Sequence, residues 1–154
     1  MRFEALIDSN VLIATLVEAH EHHGPSLSLL ARGADARFAV AAHSYAEVYS
    51  TLTRRGGPAP FRFTPEEAWA ALESVRAVTG LVGLTAAQTF DAIGSYVRSG
   101  GIGARLYDRL IGETATAQGI ASIVTWNVGH MRGLFPNLTI ATPEEWAIAR
   151  RPGG

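Results

Sequence analysis

Short apolar segments alternate with longer helical segments along this chain, and that alternation restricts the fold more than any other feature. The apolar runs of strand length are residues 2–7, 37–42, 81–84, 121–125 and 138–140, with 81–84 the weakest. Strands that are joined through helices form right-handed crossovers and lie parallel to one another. The sequence therefore predicts an α/β fold, with a short parallel sheet of four to five strands and helices on both of its faces.

The helical segments between these runs have recognisable start and stop signals. Threonine or proline in a first turn favours a helix start, and glycine favours a helix end. Helices are predicted to begin at Asp8-Ser9-Asn10, to cover residues 25–32, 43–55, 64–78 and 85–98, to run from beyond Gly103 to about Gly119, and to begin again at Thr142.

Length and composition limit the classes of protein that remain. The 154 residues are enough for one domain with its own core, which we place at residues 1–150 with a tail at 151–154. The chain has no cysteine, which excludes disulfides and thiolate metal sites and favours a cytoplasmic location. The N-terminal apolar run is too short for a signal peptide or a span, so we expect no membrane contact. With a formal net charge of −1, any contact with phosphate must be local.

Three acidic residues stand in apolar surroundings, unlike most of the fourteen in the chain. Asp8 follows the first predicted strand and lies between two apolar segments. Glu47 has aromatic and apolar neighbours on both sides in a predicted helix, and Asp108 shares a later helix with leucine and isoleucine. Because an unpaired buried carboxylate is costly, each of these positions needs an explanation.

Each acid by itself has a simple structural explanation. Asp8 is a suitable helix cap, Glu47 can pair with Arg54 or Arg55, and Asp108 can pair with Arg105 or Arg109.

Together the three acids suggest a metal site. If they meet where the first strand ends, they provide the oxygen ligands that Mg²⁺ or Mn²⁺ prefers. Such an ion lowers the pKa of a bound water and neutralises charge on a phosphoryl group, so the expected chemistry is metal-assisted hydrolysis.

Four short motifs follow one another along nearly the whole chain. They are Leu6-Ile7-Asp8-Ser9-Asn10-Val11-Leu12, Ala46-Glu47-Val48, Tyr107-Asp108-Arg109-Leu110-Ile111-Gly112, and Val124-Thr125-Trp126-Asn127. In this order and spacing they resemble the PIN-domain ribonucleases, in particular the VapC-like toxins of bacterial and archaeal toxin–antitoxin pairs. The resemblance implies an endoribonuclease in which Asp8, Glu47 and Asp108 hold Mg²⁺ or Mn²⁺. It also implies an RNA substrate, a cognate antitoxin and a homodimer.

The fourth motif departs from the family pattern. The family usually has aspartate two residues after a threonine or serine, and here Asn127 follows Thr125. We expect Thr125 and Asn127 to complete the site and position water. Because asparagine brings no negative charge, we also expect weaker cation affinity, or one ion in place of two.

Two other functions remain open on the sequence alone. A non-catalytic PIN-like module that binds RNA or protein is supported by Asn127. A phosphatase or phosphotransfer domain with Asp8 as nucleophile is disfavoured, because position 10 is asparagine and the chain has no lysine.

The histidines do not decide between these functions. No HExxH spacing is present, so His20, His22 and His23 are given no ligand role, while His43 and His130 stay unassigned.

Overall fold

The fold is a five-stranded parallel sheet, seen in a computed structural model that describes residues 2–150. Met1 and the predicted tail at 151–154 lie outside the described residues. The strands are β1 (Ala5–Ile7), β2 (Phe38–Ala41), β3 (Gly80–Val82), β4 (Ser122–Val124) and β5 (Thr139–Ala141). All pairings are parallel, in the order β3-β2-β1-β4-β5. The predicted α/β class is confirmed, and each predicted strand is present with its bounds shifted by a few residues.

Helices connect the strands and cover the sheet. They are α1 (Ser9–Leu16), α2 (His23–Leu30), α3 (Gly33–Ala36), α4 (Ala42–Thr53), α5 (Pro65–Arg76), α6 (Ala86–Arg98), α7 (Leu106–Gln118), α8 (Val128–Leu134) and α9 (Pro143–Ala149). The predicted starts at Thr64, Thr85 and Thr142 are confirmed, since each forms a reciprocal capping box. Within residues 2–150, no helix combines the length and the apolar character that crossing a membrane requires.

Two of these helices, α3 and α8, were not predicted. Helix α8 has two glycines in seven residues, and its first residue is preceded by no capping side chain. Its formation depends on tertiary packing, because Met131 is fully buried against the sheet.

Side chains alternate between the two faces of the sheet, as the period of a strand requires. On β1, Ala5 and Ile7 join a core cluster with residues of α1, α4 and α5, whereas Leu6 joins a second cluster with residues of α7 and α8. Both faces are therefore buried, which is why the strands are almost entirely apolar.

The strand order creates a crevice at the carboxyl ends of the central strands. The chain runs from β1 to β2 on one side, whereas β4 lies on the other side of β1. In open parallel sheets, ligands bind outside the carboxyl ends of the strands at such a switch. Asp8 and Thr125 directly follow the two strands concerned, and the Asp8 N–H donates to the Val124 carbonyl at 3.0 Å. The topology thus brings the first and fourth motifs together.

Gly112 permits the close approach of α7 to the segment after α8. A Cβ built there would lie 2.0 Å from the Phe135 ring. We expect Gly112→Ala to lower the free energy of unfolding by about 2 kcal/mol, because the ring must move in a packed region. Gly133→Ala is the control, since an added Cβ meets nothing within 4 Å and the site is exposed. Urea denaturation followed by circular dichroism measures both, and an equal change in the two variants would contradict the packing role of Gly112.

Candidate active site

Asp8 is the most buried acidic residue of the site, with 3% of its surface exposed. Its Oδ1 accepts a hydrogen bond from the Ser9 N–H at 2.7 Å, so the expectation that Asp8 caps α1 is confirmed. Its Oδ2 accepts a hydrogen bond from the Thr125 hydroxyl at 2.9 Å. Capping therefore uses one oxygen, while the second oxygen connects β1 to the end of β4.

Thr125 is the centre of a hydrogen-bond network that fixes Asp8. Its buried hydroxyl donates to Asp8 and accepts from the Asn10 Nδ2 at 3.1 Å and from the Asn127 N–H at 3.0 Å. The Asn10 Oδ1 in turn accepts from the Trp126 N–H at 3.1 Å. Asn10 is thus a site residue that was not among the predicted site residues, although it belongs to the first motif.

Asn127 takes part in this network only through its backbone. The residue is exposed, and within residues 2–150 its carboxamide makes no hydrogen bond. Its side chain is therefore free to face a ligand, and its role in positioning water stays a prediction.

Glu47 lies on α4 beside His43, one helical turn earlier. The His43 Nε2 and the Glu47 Oε1 are 3.8 Å apart, and each is buried without a hydrogen-bond partner among the described residues. The alternative that Glu47 pairs with Arg54 or Arg55 is wrong, because in residues 2–150 no guanidinium lies within 4.0 Å of it. Arg55 instead donates to the carbonyls of residues 62 and 63.

Asp108 lies in the first turn of α7 and faces α8. Its Oδ2 is 3.2 Å from the His130 Nε2, although the two are not aligned for a hydrogen bond. The alternative that Asp108 pairs with Arg109 is wrong, because that guanidinium lies 3.7 Å from Glu113 and over the Phe135 ring. Arg105 acts on Asp108 only as a more distant positive charge.

All three carboxylates have raised pKa values. Burial and the charge of Asp108 raise the pKa of Asp8 to about 6, against the hydrogen bonds from Thr125 and Ser9. Burial and the charges of Asp8 and Asp108 raise the pKa of Glu47 to about 7. Burial also raises the pKa of Asp108, against the opposing effect of His130 and Arg105. The three acids, from three separate elements, therefore lie within electrostatic reach of one another.

The donor set suits a hard divalent cation, although it does not enclose one. Across residues 2–150, no three Asp, Glu, His or Cys side chains form a closed ligand set as they stand. Their chemistry nevertheless fits, because carboxylate oxygens are preferred by Mg²⁺ and Mn²⁺, and the Glu47 Oε1 is a buried acceptor without a donor. A cation between them would replace mutual repulsion by attraction.

The comparisons with known proteins agree with the geometry. The PIN domain family model matches residues 5–128. Among solved structures, the sarcin–ricin loop cleaving toxin VapC20 of Mycobacterium tuberculosis is 21% identical over 77% of this chain and 86% of that chain, with a TM-score of 0.60. VapBC2 from Rickettsia felis, bound to a DNA fragment from their promoter, is 19% identical over 88% and 96% of the two chains, with a TM-score of 0.61. PAE2754 from Pyrobaculum aerophilum is 17% identical over 97% of each chain, with a TM-score of 0.61. A comparison with curated protein sequences gives no significant match.

Proposed function

The chain belongs to the PIN-domain family, and we propose that it is an endoribonuclease that uses Mg²⁺ or Mn²⁺ to hydrolyse RNA phosphodiester bonds. The observation that carries this proposal is the electrostatic coupling of Asp8, Glu47 and Asp108 at the switch point of the sheet. A divalent cation would stabilise the ionised forms of these three carboxylates, and a phosphodiester is a substrate on which such a cation acts.

The residues of the chain have distinct parts in this reaction. Asp8, Glu47 and Asp108 would hold the ion, and Thr125 keeps one oxygen of Asp8 oriented through its hydroxyl. When bound, the ion supplies a water of lowered pKa and neutralises charge on the phosphoryl oxygens. The exposed carboxamide of Asn127, in the segment between β4 and α8, would orient that water or the RNA.

The substrate we propose is single-stranded or loop RNA. The site lies at the carboxyl ends of the central strands β1 and β4. An unpaired RNA strand can enter such a site because its bases are free to turn out of a stack. The toxin VapC20, which has the same fold, is described as cleaving the sarcin–ricin loop. For this chain the corresponding substrate is an unpaired segment, whose sequence the site does not yet define.

We also propose that the protein is a toxin controlled by a cognate antitoxin. Solved structures of the same fold include VapC20, which is described as a toxin, and VapBC2, which is described as bound to a DNA fragment from their promoter. The proposed homodimer has a candidate surface on α6, where Phe90 and Val97 are 77% and 66% exposed on one side of the helix. A cytoplasmic location stays a prediction.

The direct test is cleavage of an end-labelled, unpaired RNA by purified protein. We expect cleavage with Mn²⁺, none with EDTA, and full recovery when Mn²⁺ is added in excess. A protein that binds RNA but cleaves it under none of these conditions would be the non-catalytic module, which Asn127 and the open ligand set favour. Calorimetry with Mn²⁺ alone separates the two further, since the module would bind no ion.

Asn127→Asp is expected to raise the affinity for Mn²⁺ about tenfold, because it adds a carboxylate beside the other three. Since Asn127 uses only its backbone N–H in the network around Thr125, the substitution leaves that network unchanged. Asn137→Asp is the matched control, as it makes the same charge change at an exposed loop position. Calorimetric titration of both variants checks the prediction, which fails if the two variants bind Mn²⁺ equally.

A further inference from the structure

Two aromatic rings are stacked next to the candidate active site. The ring centroids of His22 and Trp126 are 3.8 Å apart, and their planes differ by 10°. The ring of His20 lies 5.8 Å from that of His22 and is tilted by 41° relative to it. We call the first two residues the His22–Trp126 stack.

Trp126 is held rigidly beside the carboxylates. It directly follows Thr125, whose hydroxyl donates to Asp8, and its own backbone N–H donates to Asn10. At the other end of the side chain, the indole N–H donates to the hydroxyl of Ser26, which is fully buried, at 2.9 Å. Hydrogen bonds at both ends therefore fix the plane of the indole relative to the site.

His22 is also positioned, yet within the described part of the chain its ring makes no hydrogen bond. It immediately precedes α2 without capping it, and among residues 2–150 the charged group near its Nε2 is the exposed Glu21, with the two atoms 3.7 Å apart. The next residue anchors the segment, because the His23 Nδ1 lies 2.9 Å from the Ala14 carbonyl oxygen. The His22 side chain is 37% exposed, so one face of the ring lies on Trp126 while part of the ring remains open.

We propose that the His22–Trp126 stack is a nucleobase subsite, in which an unpaired RNA base stacks against the exposed part of the His22 ring. The inference rests on the nuclease function proposed above and names how that site binds its substrate. Histidine and tryptophan are residues on which unpaired bases stack, and each stacked base adds binding free energy besides any contact with phosphate. Stacking suits a chain with a net charge of −1, which cannot hold RNA by general attraction to phosphate.

The position of the stack gives it a direct consequence for cleavage. Trp126 is one residue from Thr125, so a base on His22 belongs to a nucleotide close to the phosphate at the carboxylates. A base in a duplex has both faces covered by its neighbours and cannot occupy the subsite. The stack therefore selects unpaired RNA and sets its position along the site.

Binding of an RNA that contains 2-aminopurine tests the subsite without any cleavage. The full-length protein is titrated in EDTA with a short unpaired RNA, because the fluorescence of this base falls when it stacks. We expect quenching with wild type, and with His22→Ala a loss of quenching together with a Kd about tenfold higher. His22→Phe restores both effects, and Trp69→Ala, which removes an exposed tryptophan on α5, leaves them unchanged. Circular dichroism of each variant checks that the variant is folded.

The outcomes separate this inference from the proposed function. Equal quenching and affinity in wild type and His22→Ala would overturn the subsite, as would an equal response to the same RNA annealed to its complement. Absence of RNA binding by wild type, both in EDTA and with Mn²⁺ added, would also overturn it. A different result would support the subsite and contradict the nuclease function. In that case quenching would be lost in His22→Ala, while the wild-type protein would cleave no RNA with Mn²⁺.

Discussion

Replacing Asp108 by asparagine is expected to reduce metal-dependent RNA cleavage at least about a hundredfold while the protein stays folded. The substitution keeps the size of the side chain and removes one of three charges that would hold the ion. Asp108 is partly exposed in the first turn of α7, and within residues 2–150 it makes no hydrogen bond through its side chain. Its removal therefore affects the proposed ion far more than the packing.

Single-turnover cleavage of an end-labelled RNA at saturating Mn²⁺ measures this effect. The matched control is Glu113→Gln, which makes the same kind of change on the same helix to a residue that pairs with Arg109. We expect its rate to stay within about twofold of wild type, because Glu113 is not among the acids that act on Asp8 or Glu47. Cleavage by Asp108→Asn at a near wild-type rate would remove Asp108 from the proposed ligand set.

Much of the fold could be predicted because its signals are local. The strands β1 and β2 are wholly apolar, since both faces of the sheet are buried there, and three helices begin at threonines that form capping boxes. Helix α8 was missed because it has no such signal and depends on burying Met131. His130 lies on that helix, so its position against Asp108 could not be predicted.

The site was predictable where a residue directly follows a strand, and less so elsewhere. Asp8 and Thr125 meet because β1 and β4 are neighbours, which the pattern of an α/β sheet allows. Asn10 contacts Thr125 and Trp126 across more than a hundred residues of sequence, and no local pattern indicates such a contact. The expected ion pair between Glu47 and Arg54 or Arg55 is wrong for a similar reason, because the Arg55 side chain donates to backbone carbonyls of a later loop.

In the absence of a divalent ion, the protein is expected to lose stability as the pH rises from about 4 to about 7. The pKa of Asp8 is raised from 3.8 to about 6, and that of Glu47 from 4.5 to about 7. Between the unfolded and folded pKa values, the folded state binds more protons than the unfolded state, so the free energy of unfolding falls with increasing pH. The full stability is present below the unfolded values and is lost as the pH passes through the folded ones.

The contribution of Asp8 can be measured against a variant that keeps its hydrogen bonds at the helix start. A shift of about two pKa units corresponds to roughly 3 kcal/mol. Asp8→Asn removes the ionisable group, and asparagine also caps helices well. We therefore expect the metal-free variant to be more stable than wild type at pH 7.5 by about 2–3 kcal/mol, with little difference between them at pH 4. Asp91→Asn, an exposed substitution on α6, is the control and should follow the wild-type profile.

Addition of Mn²⁺ should cancel this difference, because an ion bound only by the folded state raises the free energy of unfolding. At a concentration one hundred times its Kd, the gain is about 2.7 kcal/mol. This gain in the free energy of unfolding should appear in wild type and in Asp91→Asn, and it should be largely absent from Asp8→Asn. Urea denaturation at several pH values, with EDTA or with Mn²⁺, gives all of these quantities. Parallel stability profiles for wild type and Asp8→Asn in EDTA would show that the ionised carboxylate carries no penalty in the fold, and the physical reason for a cation at this site would then be lost.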